Sequence, residues 1–266
     1  MTTNIQLYGR VVITANINTL TGLHIGGTSA SMEIGCVDNT IIRNPINDQP
    51  YIPGSSLRGK MRSQTEKILG LEQNQSIGQD VTIHSCQEPE DFKKNGGCPV
   101  CTIYGLPGER DFNTTSRLVV RDVSMTPESV EKLKHLQTYL PFVECKTEVA
   151  IDRVTSKATP RSMERVPAGT VFGPAELVYS IYEVNDFERL SYVFEALQLV
   201  EDDYLGGSGS RGSGKIRFES IKLTARSKKD YGNAVDLGTF PSIQELNNAL
   251  KSITAKAKET ILLESK

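Results

Sequence analysis

Apolar and polar positions alternate from residue 5 to residue 17, with Ile5, Leu7, Val11, Ile13, Ala15 and Ile17 on one parity and mostly polar groups on the other. Alternation with period two over that length predicts a long strand with one buried face. The pattern loosens into loop through TGLHIGGTSA, and IGCVDNTIIRNP reads as a short hairpin turning at Asp38 and Asn39. In YIPGSSLRGKMRSQTEKILG the period lengthens. Pro53 and Gly54 end the extended run, Ser55 or Ser56 caps a helix, Leu57, Met61 and Ile68 share a face, and Gly70 closes it. RLVVRDVSM from Arg117 predicts a strand, and Thr126, Pro127 and Glu128 start a short helix that carries His135. PAELVYSIYEV from Pro174 predicts another strand. Phe187, Leu190, Phe194 and Leu197 then fall at helical spacing behind Asp186 as cap, and IRFESIKLTA alternates again as a strand. The chain turns polar after Ser227 and ends in a helix that begins near Pro241.

Two strand, helix, strand passages set among further strands imply an α+β domain of ferredoxin-like type with insertions. One domain over residues 1–266 accounts for the pattern, with 71–112 and 144–173 as excursions and 228–266 as a C-terminal helical extension. The second excursion mixes β-branched residues with charge, and Pro160, Pro167 and Gly169 break any helix. It reads as an extended hairpin arm carrying Arg153, Lys157, Arg161 and Arg165.

In the first excursion periodicity fails and chemistry appears. His84, Cys86, Cys98 and Cys101 form a His-x-Cys arm and a Cys-x-x-Cys arm, the ligand set of a closed tetrahedral zinc site with no position left for catalysis. A redox Cys-x-x-Cys and unpaired surface thiols are the competing readings. Cys36 and Cys145 stand alone and read as small core residues. Five cysteines, an odd number with three crowded together, suit a reducing compartment. With no basic leader before an apolar core and no apolar run of membrane-spanning length, the expected location is cytoplasmic, with no membrane partner.

The 266 residues carry a net charge of -2, which argues against a free, non-specific nucleic-acid binder. Local charge differs. Arg58, Lys60 and Arg62 lie on the helix beside its apolar face, where they are either surface basics or phosphate contacts near a helix N-terminus. LGGSGSRGSGK, residues 205–215, offers glycine backbone to a partner and carries Arg211 and Lys215. Gly207, Gly209 and Gly212 fit G-x-G-x-x-G, and Gly209, Gly214 and Lys215 fit the first seven places of a P-loop. Both motifs require a helix downstream, and a strand follows instead. The stretch therefore reads as a phosphate-contacting loop between helix and strand.

Taken in order, TGLHIGG, IGCVDN, PYIPGSSLRGKMR, RLVVRD, TEVAIDRVTSKATPRSMERVPAGTVF and YLGGSGSRGSGK make the chain resemble the RAMP superfamily, and within it the repeated backbone subunits of type III-A CRISPR interference (Csm) complexes. The resemblance implies a modified ferredoxin-like, RRM-like fold whose copies stack along a CRISPR guide RNA, beside other type III effector subunits, each projecting a thumb-like hairpin. It implies guide contacts from His24, from Ser55, Ser56, Arg58, Lys60 and Arg62, and from Gly207, Gly209, Arg211, Gly212 and Lys215, and RNA contacts from Arg153, Arg161 and Arg165 of the thumb. It also implies that the subunit is an endoribonuclease cutting the target RNA at Asp38, as a base or as a holder of Mg2+ or Mn2+. Asp122 and Glu148 match further acidic positions, with a structural role as the alternative. A catalytically inert RNA-binding scaffold is the alternative function.

Overall fold

The computed structural model describes residues 5–27, 39–78, 81–94, 97–107, 112, 114–136 and 140–262. Strand β1 (Gly9–Thr19) lies at the centre, and its odd positions are buried from end to end. Expected from residue 5, the strand begins at Gly9, whose place against the Arg226 carbonyl leaves no room for a Cβ.

Helix α1 (Gly54–Ile68) follows the two-residue β2 (Tyr51–Ile52). Leu57 and Met61 are buried as expected, while Ile68 is exposed. Neither Ser55 nor Ser56 caps the helix: Pro53 occupies the cap position with no side-chain bond. The Gly54 N–H is instead taken by Asp122 Oδ1 at 2.7 Å. A carboxylate brought from elsewhere in the chain satisfies the terminus, as helix N-termini favour.

Three short strands and two short helices fill the first excursion and its flank: β3 (Gln75–Gly78), β4 (Val81–Ile83), α2 (Pro89–Lys93), α3 (Pro99–Tyr104) and β5 (Leu118–Val120). The segment expected as one strand from Arg117 breaks at Arg121 and Asp122. β5 joins the main sheet and β6 (Val123–Ser124) pairs with β2 instead. Helix α4 (Pro127–Lys134) is capped by Thr126, whose hydroxyl accepts from Ser129 N. Beyond it, β7 (Glu144–Ile151) and β8 (Ala158–Arg165) form a separate antiparallel hairpin.

β9 (Val171–Ile181), helix α5 (Asp186–Asp202) and β10 (Ile216–Ser227) complete the framework. The sheet order β10-β1-β9-β5, every neighbour antiparallel, is that of a ferredoxin-like fold, with β11 (Val235–Phe240) added outside β10. β11 was hidden in a polar stretch of sequence. The expected single C-terminal helix is two, α6 (Ile243–Asn248) and α7 (Leu250–Leu262), broken at Ala249. Their buried Ile243, Leu246, Ile253, Ala257 and Ile261 join the core.

Asp186 does more than cap α5, whose cap position is Asn185. Fully buried, it accepts from Tyr182 N and Glu183 N and from the guanidinium groups of Arg117 and Arg189. A buried charge is tolerated when it is paired and hydrogen-bonded in this way. Cys145 is exposed, contrary to the expectation of a core residue, because β7 stands away from the domain. Cys36 lies outside the described residues, and among those described no helix is long and apolar enough to cross a membrane.

Candidate nucleic-acid interface and metal centre

The glycine stretch is folded rather than open. Leu205 N donates to Gly214 O at 2.8 Å and closes it, and a short 3-10 turn spans Gly209–Arg211. Gly207 N bonds to His24 O at 2.7 Å, Gly212 N to Gly209 O at 2.9 Å and Gly214 N to Gly22 O at 3.0 Å. Those three N–H groups, expected to face an anion, are thus already paired. The glycines serve contact instead: Gly206 has φ 78°, and a Cβ there would lie 2.2 Å from the His24 carbonyl oxygen. Gly206→Ala should therefore dislodge the loop from residue 24, at a cost of about 3 kcal/mol. Thermal melting checks this, and an unchanged midpoint would show the contact to be dispensable.

His24 sits between that loop and the hairpin root. Its Nδ1 lies 2.7 Å from Glu164 O, so Nδ1 donates there, and in a neutral ring Nε2 is the acceptor. Leu23 pairs with Val166 on the same side. Lys146 of β7 donates to Arg211 O at 2.9 Å, and Glu148 lies 2.8 Å from Lys146 Nζ and 3.5 Å from Arg211 Nε. The Lys146 hydrogen bond holds the Glu148 carboxyl below its ordinary pKa. Arg165 reaches Glu144 and, at 3.4 Å, Ser213 Oγ.

Asp38 lies outside the described residues. The residue after it is firmly placed: Asn39 pairs with Met163 of β8, and its carbonyl accepts from Glu164 N at 3.0 Å. Buried Glu164 also accepts from Ile41 N through Oε2 at 3.1 Å. Residues 163–166 thus hold His24, the glycine loop and the chain leaving Asp38 in one constellation.

The expected helix cations are placed differently. Arg58 donates to Leu118 O, Tyr104 O and Ser116 Oγ, and Arg62 to Glu66, Gly105 O and His84 O. Burial, followed by repulsion from Arg62, lowers the Arg58 pKa. Both cations brace the first excursion rather than face solvent, as carbonyls left unpaired by short helices and turns attract donors. Lys60 is paired with Asp203 at 2.7 Å and lies 3.6 Å from the centroid of the Tyr204 ring, beside the glycine stretch. Lys215 donates to Glu201 O at the end of α5. Ser55 and Ser56 lie on the first turn, and Arg153 and Arg161 are exposed along the hairpin. Lys146, Glu164 and Asp203 were not singled out in the sequence. The alternation of half-buried Glu144, Lys146 and Glu148 along β7 was the available signal.

Ligand atoms of His84, Cys86, Cys98 and Cys101 all lie within 4.8 Å of one another. His84 Nε2 is 3.5 Å from Cys98 Sγ and 3.8 Å from Cys86 Sγ, and Cys101 Sγ is 3.7 Å from Cys86 Sγ. Nδ1 of His84 is 3.0 Å from Glu72 O, which orients Nε2 inward, as carbonyls behind a ligating histidine do in metal sites. A bond from the Cys101 thiol holds Cys98 down to about 5, with His84 contributing, while burial pushes Cys86 up to about 11 and the bond to Cys98 raises Cys101. One thiolate sharing protons with two thiols is a donor set that can hold a metal ion.

A ferredoxin-like sheet, a hairpin rooted beside a folded glycine loop and a Cys/His insertion define the class. The sequence matches the RAMP superfamily over residues 16–217, and the chain belongs to that superfamily. It is 41% identical over 251 residues, 89% of this chain and 96% of the relative, to the CRISPR system Cms endoribonuclease Csm3 of Methanothermobacter thermautotrophicus. It is 38% identical over 248 residues, 92% of this chain and 93% of the relative, to the protein of that name in Methanocaldococcus jannaschii. A crystal structure of the Csm3-Csm4 subcomplex in the type III-A CRISPR-Cas interference complex contains a chain 30% identical, covering 93% of this chain and 97% of that one, with TM-score 0.60. The Csm3 crystal structure from Methanopyrus kandleri, at 23% identity, shares the fold with TM-score 0.64 over 93% of this chain and 98% of that one.

Proposed function

We propose that this chain is a repeated backbone subunit of a type III effector complex, holding a CRISPR guide RNA and cutting the complementary target RNA at Asp38. The observation that carries this reading is the 41% identity over nearly the whole length to a protein named as an endoribonuclease of a CRISPR system. The constellation around residues 163–166 is consistent with it, because it gathers His24, the glycine loop, the hairpin root and the exit from Asp38. His24 Nε2, an acceptor, suits a ribose 2′-hydroxyl, the group that separates RNA from DNA. Arg211, Arg153 and Arg161 are exposed cations for phosphates. Arg58 and Arg62 support the guide surface indirectly in this reading, by fixing α1. Contacts to backbone and shape suit a guide whose sequence must vary.

The Cys/His cluster is assigned to structural zinc, with His84, Cys86, Cys98 and Cys101 as a closed tetrahedral set. For cleavage, Asp38 acts on the 2′-hydroxyl that attacks the adjacent phosphorus, and Mg2+ or Mn2+ would supply charge neutralisation at the phosphate. Purification after expression with a CRISPR array tests the reading: the protein should carry RNA of one defined size and cut a complementary RNA at regular intervals. A preparation with heterogeneous RNA and no regular cuts would overturn it.

A further inference from the structure

The constellation described above lies at the end of the sheet where Thr19 pairs with Ile216. At the opposite end, where Gly9 pairs with Ser227, stands a different group. Arg10 and Arg226 are directly opposed across the ladder, on the face of β1 and β10 that turns away from the core. Like charges so placed destabilise a strand pair. Tyr231 offsets that cost. Its ring centroid lies 5.7 Å from the Arg10 guanidinium and 5.9 Å from that of Arg226. Arg10 Nη1 donates to the Tyr231 hydroxyl at 2.8 Å, and Arg226 Nη1 donates to the Tyr231 carbonyl at 3.1 Å.

Lys228 continues the group, with Nζ 5.1 Å from the Tyr8 ring centroid. Lys222, four residues before Arg226 on the same face of β10, extends it by roughly 13 Å at the rise of a strand. Among the described residues none of these four cations has a carboxylate within 4.0 Å. The acids nearby in the ladder and turn are engaged elsewhere: Asp236 accepts from Gly238 N at 2.8 Å, and Asp230 from Asn233 Nδ2 at 2.7 Å. Arg10 Nε is buried and without a hydrogen-bond partner. In a chain of net charge -2 this concentration of unpaired positive charge is local rather than general.

We propose that this end of the sheet's outer face is a second RNA-backbone contact, a clamp for the phosphates of a single strand passing the far end of the subunit. The proposal rests on the functional reading above. Guanidinium forks match phosphate geometry, and the tyrosine rings hold the cations in a row while remaining too engaged to stack on bases. A protein partner would call for an apolar centre ringed by polar groups, whereas here the charges occupy the centre.

The test is binding of a labelled single-stranded RNA, unrelated to the guide, to the guide-loaded protein over a series of salt concentrations. Each phosphate contact contributes about 0.7 to the slope of log affinity against log salt for single strands, so Arg10→Gln with Arg226→Gln should lower the slope by about 1.4. Guide occupancy and melting temperature should stay as in wild type. Should the arginine pair prove necessary for folding, Lys222→Gln with Lys228→Gln reports the same loss from the surface lysines. An unchanged slope in folded variants that still carry guide would overturn the clamp and leave the functional reading standing. Loss of self-association with RNA binding intact would assign this face to a protein neighbour and also overturn it. A wild-type protein that carries no guide and binds no RNA would remove both.

Discussion

Asp38→Ala leaves guide and target bound and removes the regularly spaced cuts, a fall on the order of 10²–10⁴ in cleavage rate if the carboxylate acts as general base. The expectation combines two links. In the sequence, an Asp before Asn in a short turn is ordinarily an Asx-turn residue, and the family resemblance raises it above that role. In the structure, the Asn39 carbonyl accepts from Glu164 N and Asn39 bridges to Met163. Those bonds belong to the backbone of residue 39, so a substitution at position 38 does not remove them. The measurement is a time course of target cleavage in Mg2+ or Mn2+ with the assembled complex, beside a binding assay on the same samples. Retained binding with an unaltered ladder of cuts would make the chain an RNA scaffold whose nuclease lies elsewhere.

Loss of the Cys/His centre is the second large effect. Cys98→Ser, or a strong zinc chelator, should lower the melting temperature by on the order of 10 °C, equivalent to about 3 kcal/mol in a chain of this size. The damage should spread beyond the excursion because Arg62 Nη2 donates to His84 O at 2.7 Å while Glu66 Oε1 accepts from His84 N at 3.3 Å. Helix α1 and the Cys/His cluster share those bonds. Acid should act in the same direction. The bond from Cys101 holds the folded Cys98 thiol below its ordinary value, so the stability its thiolate contributes is lost as the pH falls through that lowered value. Metal analysis showing no bound zinc, together with a fully stable Cys98→Ser, would refute the assignment.

Long periodic elements were legible because burial imposes its period directly. β1, α5 and β10 keep the spacing that placed Ile13, Phe194 and Leu223 in the core. The gathering of His84, Cys86, Cys98 and Cys101 into one cluster that could hold a metal ion was equally plain, since spacing is the chemistry. What escaped was set by partners distant in sequence. Asp122 replaces a serine cap from 68 residues away, and Arg58 finds the Tyr104 carbonyl across a gap of 46. β11 was missed because a strand at a sheet edge needs only one buried row, which Leu237 and few others supply. The glycine stretch lies between helix and strand as expected, but the pairing of its Gly207 and Gly214 amides was not legible, because nothing local reveals that residues 22 and 24 will offer their carbonyls.

A loop whose amides are already bonded to its own scaffold has little conformational freedom left to surrender when a polymer settles on it. Those bonds set its shape before any polymer binds. An array of such subunits would meet every guide with the same rigid surface, so differences among guides should be felt in the rate at which strands pair and scarcely in the rate at which the subunits load.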